Sequence, residues 1–529
     1  MQNIVKEFIE KKLEKSIVLE KPKDSSLGHF ATPVAFSLAK ELKKSPMILA
    51  DELVLKLENS ELFEKIEAVK GFINFTLSKS FIEKLTNEAL AKKDDFAKGE
   101  AKTEKILLEY VSANPTGPLH IGHARGAVFG DTLYKVGLYL GYDITTEYYI
   151  NDAGAQMQLL GVSVSLAARD FIFKEKVKYP ESYYRGEYLI EIAEKIIEKY
   201  GKDIIYDESR FEEMAIFAKD IVMQIIIKDL SDLGINFQNF VSEKSLYSSW
   251  ENTKSVLEKN GSLYTKDEKV YLNSTKFGDD SDRVVVRENG IPTYLAGDII
   301  YHKNKFDRNF DKYINIWGAD HHGYITRVKA AIEFLGNDSS KLEVILSQMV
   351  QLLKGGQPYK MSKRAGNVIL MSDITAEIGS DALRFIFLTK KSDTHLEFDI
   401  DMLKNQDSSN PIFYINYAHA RINQVFVKSN LSFEDIKDES FERLNSEALN
   451  LVYESLLLKS VLEDAFSKRD MQKITEYLYN LASSVHKFYN EHKIIGSNEE
   501  RTYLKVLSMA KLSIKTGLKL LGIEAKEIM

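Results

Sequence analysis

The spacing of hydrophobic residues changes along the chain, and each change predicts a different element. Residues 1–16 repeat apolar side chains at intervals of three and four among charges, which predicts an amphipathic helix. A second helical pattern covers residues 31–44, and Pro46 predicts its end. Residues 71–77 alternate as a strand does, while residues 92–105 are charged and lack an apolar period. We therefore expect a compact α+β unit followed by a linker.

The order of the predicted helices and strands changes near residue 106. Residues 106–111 form a short apolar run, a loop rich in Pro and Gly follows, residues 122–139 read as a helix and residues 144–150 as a strand. Strand, loop, helix and strand in this order predict a parallel sheet. Residues 154–250 are mostly helical and interrupt it. Strand patterns then return at 270–272, 284–287 and 313–317.

From residue 381 the pattern is nearly all helical. At roughly 150 residues per domain, a chain of 529 residues predicts about three domains. We place them at 1–100 (α+β), 101–380 (an α/β parallel sheet with a helical insertion) and 381–529 (all-α).

Composition narrows the class of protein. The chain has 71 Lys and Arg against 78 Asp and Glu, a net charge of −7, so it is not a basic nucleic-acid-packaging protein, although a local basic face remains compatible with that total. It has no cysteine, which excludes disulfides, thiol catalysis and cysteine-bound zinc. No apolar run approaches the roughly 18 residues of a membrane span. A cytoplasmic protein is expected.

The first candidate site is His120-Ile121-Gly122-His123, at the predicted junction of a loop and a helix. The two histidines are three residues apart and share the first helical turn, and Gly122 allows close approach to the backbone. Helix N-termini bind phosphate through free N–H groups and the helix dipole, and imidazoles there can donate hydrogen bonds to a reacting phosphorus group. A metal-binding pair and a chance match are the alternatives, and the preceding loop at 114–119 favours the phosphate site.

The second candidate site is the basic octamer at residues 360–367, Lys-Met-Ser-Lys-Arg-Ala-Gly-Asn. It follows Gly355, Gly356 and Pro358, which predicts a surface loop. Three cations with a Ser and a Gly could close over a polyphosphate. Alone, such an octamer is more often a solvated basic loop than a phosphate-binding one.

Together the two motifs resemble the signature pair of class I aminoacyl-tRNA synthetases, whose nucleotide-binding sheet is Rossmann-like. The resemblance implies that His120 and His123 stabilise the α-phosphate in the transition state. It implies that Lys363 holds the β- and γ-phosphates, while Arg364 stands where many members have Ser. The further ATP-binding positions that it implies are Gly122, Lys360, Met361 and Ser362.

Longer stretches are similar to the arginyl-tRNA synthetase family. They cover nearly the whole chain, at residues 28–32, 71–74, 109–125, 149–154, 379–384, 393–399 and 417–421. The family couples ATP-dependent arginine activation to transfer onto tRNA(Arg). Its N-terminal domain contacts the tRNA elbow, its helical C-terminal domain reads the anticodon, and its activation step requires bound tRNA.

An arginine pocket needs carboxylate or amide acceptors for the five donors of a guanidinium group. Tyr294 and Asp298 are four residues apart and share a face if helical. The resemblance implies that Asp298 pairs with the guanidinium and that Tyr294 assists. Asn114 and Glu109 match positions that hold the backbone end and side chain of the amino acid. A surface acid is the alternative for Asp298, and a paired structural carboxylate is the alternative for Glu109.

Residues 317–323 also carry His and Asp after a predicted strand. A metal site is one interpretation, but the similar segment of class I enzymes lines the substrate pocket, so we predict pocket residues Asp320 and His321 and no structural metal. Mg²⁺ is expected to arrive with ATP and to keep most of its waters.

Candidate tRNA contacts lie in the helical C-terminal domain. Tyr414, Tyr417 and Arg421 share one helical face, and unpaired bases are bound by aromatic stacking and cationic contacts. Core aromatic residues are the alternative. The resemblance adds the terminal Met529 to this set.

The leading hypothesis is a monomeric arginine–tRNA ligase that uses L-arginine, ATP and tRNA(Arg) and does not bind membranes. Another class I synthetase is the nearest alternative. The absence of cysteine argues against the cysteinyl and methionyl types, and the short insertion argues against the isoleucyl group. A small-molecule nucleotidyltransferase would not need the long helical C-terminus. A non-catalytic tRNA-binding relative would not need His120, His123 and Lys363.

Overall fold

The N-terminal part of the chain is a three-stranded antiparallel sheet packed against helices. The computed structural model describes residues 1–22, 24–58, 60–359 and 368–529. The first elements are α1 (Gln2–Leu13), β1 (Phe30–Thr32), α2 (Val34–Leu42), α3 (Pro46–Leu57), β2 (Phe63–Val69), β3 (Phe72–Leu77) and α4 (Lys79–Lys92). The strand order is β1-β3-β2. Alternate residues of β3, namely Ile73, Phe75 and Leu77, are buried, as the sequence alternation predicts.

One predicted boundary in this region, the start of the second helix, is wrong. Residues 31–44 are not one helix, because they contain the end of β1 and then α2, with Pro33 between them. A residue before proline is disfavoured in helical geometry. The helix does end before Pro46, at Leu42, and Pro46 is also the first residue of α3, where its missing N–H costs no helical hydrogen bond.

A five-stranded parallel sheet forms the centre of the molecule. Its part of the chain contains β4 (Lys105–Glu109), α5 (Ile121–Tyr139), β5 (Asp143–Ile150), α6 (Ala155–Ala167), α7 (Tyr188–Tyr200), α8 (Phe211–Asp232), β6 (Asn239–Ser242), α9 (Glu243–Leu246), α10 (Trp250–Lys259), β7 (Leu263–Lys266), β8 (Lys269–Leu272), β9 (Arg283–Val286), α11 (Tyr294–Asp307), β10 (Lys312–Gly318), α12 (Tyr324–Phe334), β11 (Leu342–Ser347), β12 (Val350–Lys354), β13 (Gln357–Pro358), α13 (Met371–Ile378), α14 (Ser380–Phe387) and β14 (Leu396–Asp399). The order of the parallel strands is β11-β10-β4-β5-β6, which confirms the predicted α/β class.

The order of the strands identifies where a ligand would bind. The chain passes from β4 to β5 on one side and later to β10 on the other side of β4. The carboxyl ends of these three strands therefore surround the point where the winding reverses. Ligands of open parallel sheets bind at such a point.

Two strands lie within stretches predicted to be helical. The strand β6 pairs with β5 at the edge of the parallel sheet, and β14 pairs with β12. Each has four residues and a partner distant in sequence, so a short window shows no clear period. The strands β8 and β9 do not join the parallel sheet, because they form a separate antiparallel sheet with β7.

Helix α5 packs closely on the sheet through glycine. A Cβ atom at Gly130 would lie 2.4 Å from the ring of Tyr110, which is next to β4. Only glycine leaves room for that ring. The start of α5, which carries the two histidines, is therefore held directly at the carboxyl end of β4.

The C-terminal part is helical, and Arg384 joins it to the sheet. Its helices are α15 (Pro411–Ser429), α16 (Phe433–Ile436), α17 (Ser446–Leu456), α18 (Leu458–Lys468), α19 (Gln472–Glu491) and α20 (Glu500–Leu520). Arg384 is fully buried, donates to the carbonyls of Leu521 (2.6 Å) and Leu233 (2.8 Å), and pairs with Asp131 of α5. Throughout the described segments, no helix is long and apolar enough to cross a membrane.

Candidate functional site

A cavity of about 360 Å³ opens at the carboxyl ends of the parallel strands. This volume suits a small ligand of amino-acid size. Its walls come from the ends of β4, β5, β6 and β10 and from α11 and α12. The lining residues used below are Glu109, Asn114, Glu243, Tyr294, Asp298 and His321. We call this space the amino-acid cavity.

Helix α11 brings Tyr294 and Asp298 to the amino-acid cavity on one face, as their spacing predicts. Burial raises the pKa of Asp298 to about 8, and the nearby Glu243 and Glu109 add to the shift. A buried carboxyl group with two other acids beside it is costly to ionise unless a further cation arrives. The site is therefore prepared for a cationic ligand rather than for an anionic one.

Glu109 already has two partners. Its Oε1 accepts a hydrogen bond from the Ser112 hydroxyl (2.9 Å), and its Oε2 pairs with the ammonium group of Lys305. All of this lies below the surface, since Glu109 and Lys305 are both buried. Glu109 thus lines the cavity and is also a paired carboxylate, as in the alternative interpretation.

Glu243 is a cavity residue that the sequence interpretation missed. It is buried at the start of α9, directly after β6. Its Oε1 accepts from the Tyr247 hydroxyl (3.0 Å), while Oε2 has no partner among the described residues. Burial raises its pKa. Its place at the carboxyl end of a parallel strand could have identified it as a cavity residue, but the sequence pattern predicted helix where β6 lies.

A second and larger cavity, of about 840 Å³, lies beside the first. It is lined by His120 and His123 on one side and by residues of the helical insertion, such as Tyr188, on the other. Asn114 lines both cavities. We call this second space the nucleotide cavity. A molecule in the amino-acid cavity can therefore contact, with one of its ends, a ligand in the nucleotide cavity.

The two histidines cap the helix on which they lie. His120 Nδ1 accepts from the Gly122 N–H (3.1 Å), and His123 Nδ1 accepts from the His120 N–H (3.4 Å). The rings stack with centroids 3.7 Å apart. Because each Nδ1 accepts a backbone proton, each neutral ring carries its own proton on Nε2.

Burial lowers the pKa of His120, and it lowers the pKa of His123 to about 3, with His120 adding to the effect. Both imidazoles are therefore neutral near pH 7. Neither Nε2 has a hydrogen-bond partner among residues 1–22, 24–58, 60–359 and 368–529. A side chain on Gly122 would begin 3.0 Å from the His120 ring, so glycine keeps this helix end open.

The insertion supplies a wall that the sequence did not predict. The Tyr188 hydroxyl donates to the Thr116 carbonyl (2.8 Å) in the loop before His120. The guanidinium of Arg185 lies 4.5 Å from the centre of the Tyr183 ring, and both residues line the nucleotide cavity. No motif in this stretch identified them in advance.

Other predicted residues are less central. His321 lines the amino-acid cavity, but Asp320 does not, and its side chain is 82% exposed. Within the described part of the chain, no three His, Asp or Glu side chains are grouped to hold a metal ion. Lys360, Met361, Ser362 and Lys363 lie outside the described residues.

The predicted tRNA contacts form one cluster on α15. The Arg421 guanidinium lies 4.6 Å from the Tyr417 ring and 4.5 Å from the Tyr489 ring, and it donates to the Tyr417 hydroxyl (3.1 Å). Tyr414 packs on His486. Tyr414, Tyr417 and Arg421 are all partly exposed.

The chain end lies along the same helix. Lys526 makes two hydrogen bonds with this helix. Its carbonyl accepts from His419 (2.8 Å), and its backbone N–H donates to the side-chain oxygen of Asn416 (2.9 Å). Met529, at the end of this segment, is exposed. Aromatic, cationic and terminal groups are thus available near one helix of the C-terminal part.

Three family models match successive parts of the chain. They describe the arginyl tRNA synthetase N-terminal domain (residues 1–77), the catalytic domain of class I (R) tRNA synthetases (85–427) and the DALR anticodon binding domain (415–529). With the parallel sheet and the histidine pair at its carboxyl edge, they define a class I aminoacyl-tRNA synthetase. Within that class the chain belongs to the arginyl-tRNA synthetase family, which confirms the resemblance inferred from its motifs.

Relatives extend over the full length. The chain is 80% identical over 529 residues to the arginine–tRNA ligase of Aliarcobacter butzleri and 58% identical over 530 residues to that of Campylobacter curvus, in both cases covering all of each protein. A structure assigned to an arginyl-tRNA synthetase of Campylobacter jejuni is 55% identical, with a TM-score of 0.83 over 86% of this chain and 100% of the other. The Thermus thermophilus arginyl-tRNA synthetase shares the fold, with a TM-score of 0.79 over all of both chains at 19% identity.

Proposed function

We propose that the protein is an arginine–tRNA ligase. It joins L-arginine to AMP from ATP, releases pyrophosphate, and passes the arginyl group to the 3′ end of tRNA(Arg), releasing AMP. The observation that carries this proposal is the meeting of two cavities at Asn114. One presents unpaired acidic side chains, and the other presents neutral imidazole donors.

The amino-acid cavity suits arginine because its free groups are acceptors. Asp298 pairs with the guanidinium group, Tyr294 covers it, and the unpartnered Oε2 of Glu243 accepts another of its five donors. Glu109 borders the same end of the cavity. Asn114 and His321 hold the backbone end, which directs the α-carboxylate of arginine toward the nucleotide cavity.

Chemistry occurs where the cavities join. A carboxylate oxygen of arginine attacks the α-phosphorus of ATP, a new P–O bond forms, and the bond to the pyrophosphate oxygen breaks. His120 and His123 donate Nε2–H groups to the charge on the α-phosphate. Preorganised donors of this kind act mainly in the transition state. We assign Lys363 to the leaving phosphates, and Gly122, Lys360, Met361 and Ser362 to bound ATP.

The remaining domains bind tRNA in this proposal. Residues 1–100 contact its elbow, residues 101–380 carry out the chemistry, and residues 381–529 bind the anticodon. The Tyr414, Tyr417 and Arg421 cluster offers stacking surfaces and a cation for unpaired bases, and Met529 is assigned to tRNA binding from the family resemblance. Five points stay predictions from the sequence. They are a contribution from Asp320, the Mg²⁺ that accompanies ATP, the absence of a structural metal, the cytoplasmic location and the monomeric state.

Pyrophosphate exchange tests the function directly. Purified, nuclease-treated protein is incubated with ATP, labelled pyrophosphate and each amino acid in turn, with and without tRNA(Arg). We expect exchange with arginine alone among the amino acids, near background without tRNA and strong with it. Exchange with a different amino acid would contradict the arginine assignment. Strong exchange without tRNA would contradict only the requirement for tRNA.

Arginine binding should improve as pH rises. The guanidinium stays charged and binds ionised Asp298, whose pKa is raised to about 8 before arginine binds. Binding favours the ionised form, so affinity is weak well below pH 8 and is gained as pH rises through it. We expect the KM for arginine to fall about tenfold per pH unit between pH 6 and 7.5. The KM for ATP, measured on the same samples, should lack this slope. Equal slopes would mean that Asp298 is not the group that titrates.

A further inference from the structure

Lys305 lies behind the amino-acid cavity and does not line it. Its side chain is only 1% exposed. The ammonium group pairs with Glu109 and donates to Asn315 Oδ1 (2.8 Å). Glu109 and Asn315 lie opposite each other on the adjacent strands β4 and β10, so one buried cation joins these two strands beside the cavity that Glu109 lines.

The same cation begins a hydrogen-bond chain that ends at Asp298. Asn315 Nδ2 lies 3.3 Å from His302 Nε2, and His302 Nδ1 lies 2.8 Å from the carbonyl of Asp298. That carbonyl can only accept, so His302 Nδ1 carries the ring proton and Nε2 accepts from Asn315. Burial lowers the pKa of His302 to about 3, which agrees with a neutral ring. The donor and the acceptor of each hydrogen bond between Lys305 and the Asp298 carbonyl are therefore determined.

We propose that Lys305 is a positioning residue that balances the charge of Glu109, so that Asp298 can ionise and pair with the substrate guanidinium at neutral pH. This inference rests on the proposed function. Lys305 touches neither arginine nor ATP in it. Its role is to hold Glu109 and to prevent that carboxylate from acting on Asp298 as an uncompensated negative charge.

Charges around Asp298 explain why one cation matters. The titratable and charged groups that face it are Glu109, Tyr149, Glu243, Tyr247, Tyr294, Tyr301, His302, Lys305, His321, Tyr324 and Arg327. Two of them, Glu109 and Glu243, raise the pKa of Asp298, and two, Arg327 and Lys305, lower it. Without Lys305, Arg327 would be the remaining cation in this group facing three acids. Neighbouring acids that cannot all ionise share protons and titrate together.

The test compares Lys305→Met, Glu109→Gln and the double variant with the wild type. Arginine KM and kcat are measured with saturating ATP and tRNA at pH 7 and pH 9. In Lys305→Met we expect the arginine KM to rise about tenfold or more at pH 7, the effect of one pKa unit, and to approach the wild-type value at pH 9. We expect the ATP KM to stay unchanged. The double variant removes both charges and should regain the wild-type dependence of arginine KM on pH, even if its KM is shifted by the same factor at every pH because Glu109 lines the cavity.

Two outcomes would overturn the proposal. One is an arginine KM raised by the same factor at pH 7 and pH 9 in Lys305→Met, which a purely structural role predicts. The other is a double variant whose profile matches that of Lys305→Met. If Lys305→Met does not fold, the comparison of the double variant with the wild type still decides, because the proposal predicts that the arginine KM of both depends on pH in nearly the same way. A wild-type protein that fails to activate arginine would instead refute the proposed function.

Discussion

Replacing Asp298 with asparagine should raise the KM for arginine at least about a hundredfold at pH 8 and leave the KM for ATP nearly unchanged. The substitution keeps the size of the side chain and removes its charge. Loss of one partner from a buried, hydrogen-bonded charge pair costs about 2–5 kcal/mol, and about 2.8 kcal/mol corresponds to a hundredfold change. The cost falls on arginine because Asp298 lines the amino-acid cavity and not the nucleotide cavity.

Asp307→Asn is a matched control. Asp307 ends the same helix, its side chain is 58% exposed, and it pairs with Lys303 at the surface. Exposed pairs contribute about 1 kcal/mol at most, so this variant should keep wild-type kinetics. The Asp298 variant should also lose the dependence of arginine KM on pH. An arginine KM within a few fold of the wild type would remove Asp298 from the role of guanidinium partner.

Local spacing was enough to predict the parts of the site that depend on one element. Tyr294 and Asp298 lie four residues apart, and the helix that contains them turns both toward the cavity. His120 and His123 share the first turn of α5 for the same reason. In each case the contact depends on helical geometry alone, which the sequence encodes within a few residues.

Residues that depend on distant strands were not predictable in this way. Glu243 reaches the cavity only because β6 pairs with β5, whose residues lie 92 positions earlier in the sequence, as Glu147 does from its partner Asn239. Lys305 meets Glu109 across 196 positions. Its spacing of seven from Asp298 did place both on one side of α11, but nothing local indicated that a buried carboxylate would face it. Pairing between strands decides such contacts, and periodicity does not report it.

Short elements account for the wrong boundaries. A strand of four residues such as β14 contains too few positions for alternation to exceed chance, and helices surround it on both sides in the sequence. Pro46 shows a related ambiguity, because proline ends one helix and begins another with equal ease. The prediction of a parallel sheet was correct despite these errors, because it depended on β4, α5, β5 and β10.

The histidine pair permits a test in which one substitution separates catalysis from folding. Asparagine places an oxygen where the imidazole Nδ1 lies, and glutamine places an amide nitrogen near Nε2. His120 is the N-cap residue, so His120→Asn should keep the helix cap, because asparagine is a good capping residue. His123→Asn should keep an oxygen acceptor for the His120 N–H, and both asparagine variants should lose the donor that faces the nucleotide cavity. Glutamine at His120 should keep a donor and weaken the cap, whereas glutamine at His123, the third helical residue, should keep both, because Gln there forms a capping box.

We expect each asparagine variant to lose about 10²- to 10³-fold in kcat for adenylate formation, the typical cost of one transition-state donor. Its KM for ATP and its melting temperature should change little. Each glutamine variant should keep more activity, and His120→Gln should also show a lower melting temperature, since loss of an N-cap costs about 1 kcal/mol. Single-turnover adenylate formation and thermal unfolding, measured on the same four proteins, separate the two effects. If asparagine raised only the KM for ATP, the rings would bind ground-state phosphate instead. If asparagine and glutamine reduced kcat equally, a hydrogen-bond donor at Nε2 would not be what the reaction requires.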